Sequence, residues 1–125
     1  MQRNTKTIFA LATGYTKSAI AVIRISGGHA KNVVTEFSKN QTQAESSRVL
    51  GRLEPRKMIY STFYHPKHQN RVVDRGMLVY FPGPNSATGE DLVELHLHGG
   101  LQNIDFFLEH LSKIENFTSA EPVRF

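Results

Sequence analysis

The stretch Gly89-Glu90-Asp91-Leu92-Val93-Glu94-Leu95-His96-Leu97-His98-Gly99-Gly100 holds the densest set of groups able to do chemistry. Side chains alternate along an extended chain, so Leu92, Glu94, His96 and His98 share one face and Val93, Leu95 and Leu97 share the other. A carboxylate in an interior strand needs partners, because burying it alone costs several kcal/mol. Two uses of this face stay open. One is a solvated sheet surface on which the histidines merely neighbour Glu94. The other is a ligand site, with His96-x-His98 as a metal pair completed by Glu94 or Glu90. Gly99-Gly100 opens a helix, where free backbone N–H groups suit an anion, although a tight strand-to-helix turn explains the same pair.

A second charged group stands out. Arg24 lies inside the apolar run Ala19-Ile20-Ala21-Val22-Ile23-Arg24-Ile25. An arginine there either points to water or pairs with an acid or an anionic ligand. Glu94 is the carboxylate in comparable strand context, so Arg24 and Glu94 are expected to approach the same region. Arg48, Arg52, Arg56 and Lys57 form a basic group in or beside a polar connection; they read as a solvated loop or as an RNA-contacting surface. No Gly-Lys-Ser/Thr phosphate loop, dinucleotide fingerprint or Gly-x-Ser-x-Gly elbow occurs.

These residues need elements to hold them. Thr7–Thr13 and Ala19–Ile25 read as strands. Ser26 is the expected N-cap of a helix whose stripe is Ala30, Val33, Val34 and Phe37. Residues 39–55 read as a polar connection. Met58–Tyr64 and Val72–Phe81 read as a hairpin around a Pro66–Asn70 turn, with Arg75-Gly76 as a bulge. Pro82–Gly89 contains two Pro and two Gly in eight residues, which specifies a fixed backbone path. After the Asp91–His98 strand, Leu101, Ile104, Phe107, Leu108, Leu111 and Ile114 form a helical stripe. Pro122–Phe125 begins a final strand. The expected class is α+β: a mixed, mostly antiparallel sheet with two main helices and one face in need of a partner.

Composition sets outer bounds. The 125 residues fit a single domain over 1–125, with 15 basic and 11 acidic side chains and a net charge of +4. With no cysteine there is no disulfide, thiolate metal site or Cys nucleophile. No apolar run approaches the roughly 20 residues of a membrane helix. Met1–Thr35 holds no acid, as in organellar transit peptides, but its strand-like alternation reads as folded from residue 6, leaving at most Met1–Thr5 as a remnant.

The blocks Thr7-Ile8-Phe9-Ala10-Leu11, Ile20-Ala21-Val22-Ile23-Arg24-Ile25-Ser26-Gly27, Phe81-Pro82-Gly83-Pro84-Asn85-Ser86-Ala87-Thr88-Gly89-Glu90-Asp91 and Glu94-Leu95-His96-Leu97-His98-Gly99-Gly100 together resemble the N-terminal domain of the MnmE/TrmE tRNA-modification GTPases. The likeness covers almost the whole chain and is closer to mitochondrial members. It implies half of a folate-binding aminomethyltransferase-like domain, completed by homodimerisation. It implies binding of a one-carbon tetrahydrofolate (5-formyl- or 5,10-methylene-tetrahydrofolate), with Arg24 and Glu94 matching the family's folate contacts. It implies a full-length protein that acts with an MnmG/GidA-family flavoprotein on uridine 34 of tRNA, in the mitochondrial matrix or the bacterial cytoplasm. GTP, Mg and K would belong to a GTPase domain outside these residues, so this segment alone is expected neither to hydrolyse GTP nor to modify tRNA. Three positions depart from the family pattern: Gly14-Tyr15-Thr16-Lys17-Ser18 replaces a Pro/Gly/Arg-rich turn, Ala87 stands where an aromatic is common, and Pro122-Val123-Arg124-Phe125 only approximates the motif preceding a further basic contact.

Overall fold

The computed structural model describes residues 6–16, 18–38 and 53–120. Six strands form one sheet: β1 (Thr7–Leu11), β2 (Ile20–Ser26), β3 (Ile59–Tyr64), β4 (Val72–Phe81), β5 (Leu92–His98) and β6 (Phe117–Ser119). Two helices accompany them, α1 (Asn32–Glu36) and α2 (Leu101–Ser112). The spatial order is β3-β4-β5-β2-β1-β6. Neighbours are antiparallel except β1 and β6, which run parallel. This is the α+β architecture expected from the sequence, and β5 is an interior strand between β4 and β2.

Period-two alternation decides which face is covered. Ala21, Ile23 and Ile25 of β2 and Val93, Leu95 and Leu97 of β5 are buried. Both helices pack over this face. Phe37 meets Phe107 at 4.8 Å between ring centroids, and Phe63 meets Phe107 edge-on at 5.7 Å. The helical stripe Ala30, Val33, Val34 and Phe37 is buried throughout, as are Ile104, Phe107 and Leu111 of α2. The opposite face carries Arg24, Glu94 and His96. At its margins Ile20 and Tyr60 are each 58% exposed. Among the described residues no helix lies on it, and none is long and apolar enough to cross a membrane.

Two local expectations need correction, and one strand was missed. Ser26 does not cap α1; its hydroxyl donates to Thr88 Oγ1 at 2.7 Å, pinning the Pro82–Asp91 loop to the end of β2. Instead Thr7 Oγ1, from β1, accepts the His29 N–H at 3.0 Å in the turns leading to α1. Arg75-Gly76 is not a bulge: Thr62 pairs with Arg75 and Ser61 with Gly76, and the register slips between Phe63 and Tyr64. Gly76 is there for closeness, since a Cβ on it would sit 2.2 Å from the His96 carbonyl oxygen. The strand after α2 is Phe117–Ser119, which the sequence reading passed over. The strand expected at Pro122–Phe125 lies outside the described residues.

Thr7 is fully buried, so its hydroxyl serves a donor with little access to water. Thr7→Val keeps the shape and orphans the His29 N–H. The expected loss is about 1–2 kcal/mol, read as a lower urea midpoint at unchanged slope.

Candidate functional site

β2 and β5 run antiparallel in a register that sets Arg24 opposite Glu94, Val22 opposite His96 and Ile20 opposite His98. Directly opposed residues point to the same side of a sheet. Arg24 and Glu94 therefore meet without any loop rearrangement, as the sequence suggested. The Arg24 Nε–H donates to Glu94 Oε2 at 2.9 Å. His96 lies two residues beyond Glu94 on the same face and places Nε2 3.1 Å from Glu94 Oε1.

The two ends of the pair differ in exposure. The Glu94 side chain is 15% exposed, that of Arg24 58%. Burial pushes the Glu94 carboxyl up, but the hydrogen bonds and positive charge of Arg24 and the contact with His96 outweigh it and hold the carboxyl below its ordinary value. A carboxylate has about four acceptor positions. Arg24 and His96 use one on each oxygen, so acceptor capacity remains for an incoming donor. A charged, largely desolvated acceptor on an open sheet face suits a flat ring with adjacent N–H donors, which one carboxylate can grip in bidentate fashion.

The neighbouring loop is tightly self-bonded. Gly83 N–H donates to Asp91 Oδ1 at 2.9 Å, and the Ser86 hydroxyl donates to the Glu90 carbonyl. A Cβ on Gly83 would lie 2.8 Å from the Glu90 carbonyl carbon, so the two limbs of the loop touch backbone to backbone. Gly27 N–H donates to the Asp91 carbonyl at 2.9 Å, which ties this loop to the end of β2.

A family model described as "GTP-binding protein TrmE N-terminus" matches residues 7–125. The chain belongs to this family. It is 41% identical over its full length to the tRNA modification GTPase MnmE of Wolbachia sp. subsp. Brugia malayi, of which it covers 25%. It is 39% identical over 95% of its length to "tRNA modification GTPase gtpbp3, mitochondrial" of Dictyostelium discoideum, covering 22%. It is 40% identical over 95% of its length to MnmE of Ehrlichia ruminantium strain Gardel, covering 24%. The chain thus spans about a quarter of the length of these curated relatives and corresponds to the N-terminal domain of MnmE/TrmE-type proteins.

In this TrmE N-terminal chain the His-x-His pair does not act as one unit. His96 turns to Glu94, whereas His98 places Nδ1 2.6 Å from Asp74 Oδ1. Among the described residues no group of three or more His, Asp or Glu is arranged to hold a metal, and the two imidazoles face different carboxylates. Gly99-Gly100 makes the tight turn: a Cβ on Gly99 would sit 2.2 Å from the Ser18 carbonyl oxygen. Of the basic group, Arg48 and Arg52 lie outside the described residues. Arg56 Nη2 donates to the Asn85 carbonyl at 3.4 Å, and Lys57 pairs with Glu54 at 3.6 Å. In the departing turn, the Tyr15 hydroxyl donates to Asp105 Oδ1 at 2.8 Å, joining residues 14–16 to α2.

The sequence reading missed Asp74. Its side chain is 7% exposed and accepts from the His98 N–H at 3.0 Å, the Asn103 amide at 2.9 Å and the Arg75 N–H at 2.8 Å, besides the His98 ring. It locks the end of β5 to β4 and to the first turn of α2. No spacing rule reveals it, because its partners are distant in sequence. Burial raises the Asp74 carboxyl, and the hydrogen bonds from His98, Asn103 and Arg75 more than offset this and lower it below 3.8. A folded-state value below the unfolded one means the unfolded chain takes up the proton first. The stabilisation is therefore complete above the unfolded value and is lost as pH falls through the folded one. Urea midpoints of wild type and Asp74→Asn are expected to differ at neutral pH and to converge below about pH 4.

Proposed function

We propose that this domain binds a one-carbon tetrahydrofolate, 5-formyl- or 5,10-methylene-tetrahydrofolate, through Glu94 and Arg24, and that two copies associate over the open sheet face. Glu94 takes the adjacent ring N–H and amino donors of the pterin. Arg24 braces the carboxylate and offers its remaining N–H donors to acceptors of the ligand. The observation that supports this most is the paired register of Arg24 and Glu94, which leaves an ionised, 85%-covered carboxylate with spare acceptor positions on a face that no helix covers among the described residues. The exposed Ile20 and Tyr60 on that face are apolar surface for a second copy to remove from water.

The parent protein, on this reading, is a tRNA wobble-uridine modification GTPase that works with an MnmG/GidA-type flavoprotein. Relatives named as tRNA modification GTPases, one of them mitochondrial, support that role. They fit residence in the mitochondrial matrix or in a bacterial cytoplasm. Within these 125 residues the contribution is binding and assembly, as no phosphate-loop motif for GTP occurs in them.

Size-exclusion chromatography with light scattering, run with and without 5-formyltetrahydrofolate, tests both halves. A dimer that binds the folate saturably is expected. A dimer with no folate uptake removes the ligand assignment, and a monomer at all concentrations removes the assembly.

A further inference from the structure

We infer that His96 is a positioning residue for the Glu94 carboxylate, held as the Nε2–H tautomer, so that the carboxylate keeps a fixed direction toward an incoming pair of donors. The inference rests on the reading of Glu94 as a ligand acceptor and names the second side chain that makes it one.

The reasoning starts from the atoms. An ionised carboxylate only accepts hydrogen bonds, so the 3.1 Å contact between His96 Nε2 and Glu94 Oε1 requires the proton on the imidazole. In the neutral ring Nδ1 is then an acceptor. Arg24 holds the other oxygen at 2.9 Å. With one donor on each oxygen, rotation of the carboxylate about its Cγ–Cδ bond is stopped. Arg24 alone would leave Oε1 free to swing, because its guanidinium is largely in water.

The surroundings suit this role. His96 lies between Val22 and Met77 in register, two apolar neighbours that offer its ring no competing partner. His98 follows on the same strand yet donates from Nδ1 to Asp74. The two imidazoles thus adopt opposite tautomers, each dictated by the carboxylate it faces.

Two measurements decide the matter. Long-range ¹H–¹⁵N correlation spectra of the unliganded chain at pH 8 report the tautomer without any substitution. The Nε2–H form is expected for His96 and the Nδ1–H form for His98; an Nδ1–H form at His96 overturns the inference. Titration with 5-formyltetrahydrofolate then gives the coupling. His96→Leu is expected to weaken binding about 3- to 10-fold, the worth of one hydrogen bond. His96→Gln, whose amide can donate from a similar reach, is expected to restore it. In a Glu94→Ala background His96→Leu is expected to have no further effect. Full additivity of the two losses overturns the role of His96 while leaving the folate site intact, whereas a wild-type chain without folate affinity overturns both.

Discussion

On the proposed reading, Glu94→Ala is expected to weaken binding of 5-formyltetrahydrofolate by roughly 30- to 700-fold while the protein keeps its fold. The size follows from removing one partner of a desolvated, charge-assisted contact, which costs about 2–4 kcal/mol at roughly 1.4 kcal/mol per tenfold. Stability is spared because the charge left behind, on Arg24, is already 58% exposed and returns to water. Arg24→Ala has a smaller effect for the same reason. Isothermal titration against wild type, with thermal melts of each variant, checks both statements. Equal affinity of the Glu94→Ala protein would remove this carboxylate from the site.

Gly76→Ala lowers the melting temperature on the order of 10 °C. The added Cβ would lie 2.2 Å from the His96 carbonyl oxygen, and the atom it meets is backbone, which cannot rotate away. β4 must therefore shift from β5 where His96 stands. Overpacking of this kind costs about 2–3 kcal/mol, and each kcal/mol moves the midpoint of a domain this size by roughly 3–6 °C. The same shift disturbs His96, so on the proposed reading folate affinity is expected to fall with stability. Gly28→Ala is the control: nothing lies within 4 Å of its added Cβ, and its melting temperature is expected to stay within about 2 °C of wild type. Differential scanning calorimetry of the two variants reads the contrast. A Gly76→Ala protein as stable as wild type would show that the two strands separate at little cost.

These two effects mark what was legible in the sequence. Alternation along Ile20–Ser26 and Leu92–His98 separated the two faces, one carrying Ala21, Ile23, Ile25, Val93, Leu95 and Leu97 against the helices and the other carrying Arg24, Glu94 and His96, with the buried Leu92 at its end. The meeting of Arg24 with Glu94 was legible from chemistry, since each needed an opposite charge. Register itself came only with the fold. Gly76 was read as a bulge because glycine in a strand marks either a bulge or a close approach, and only the neighbouring strand distinguishes them. Ser26 had the right chemistry for a cap, but a serine hydroxyl bonds whichever partner lies nearer, and Thr88 does. Asp74 was invisible because its donors come from β5 and α2 as well as from its own neighbour. Phe117–Ser119 is three residues long, too short for a period to show, and it depends on pairing with β1.

Amide chemical-shift mapping during titration of the ¹⁵N-labelled chain with 5-formyltetrahydrofolate is the most direct measurement. Saturable shifts centred on Arg24, Glu94 and His96, spreading along β2 and β5, are the expected result. No saturable change, or changes confined to α1 and α2, would contradict a folate site on the open sheet face.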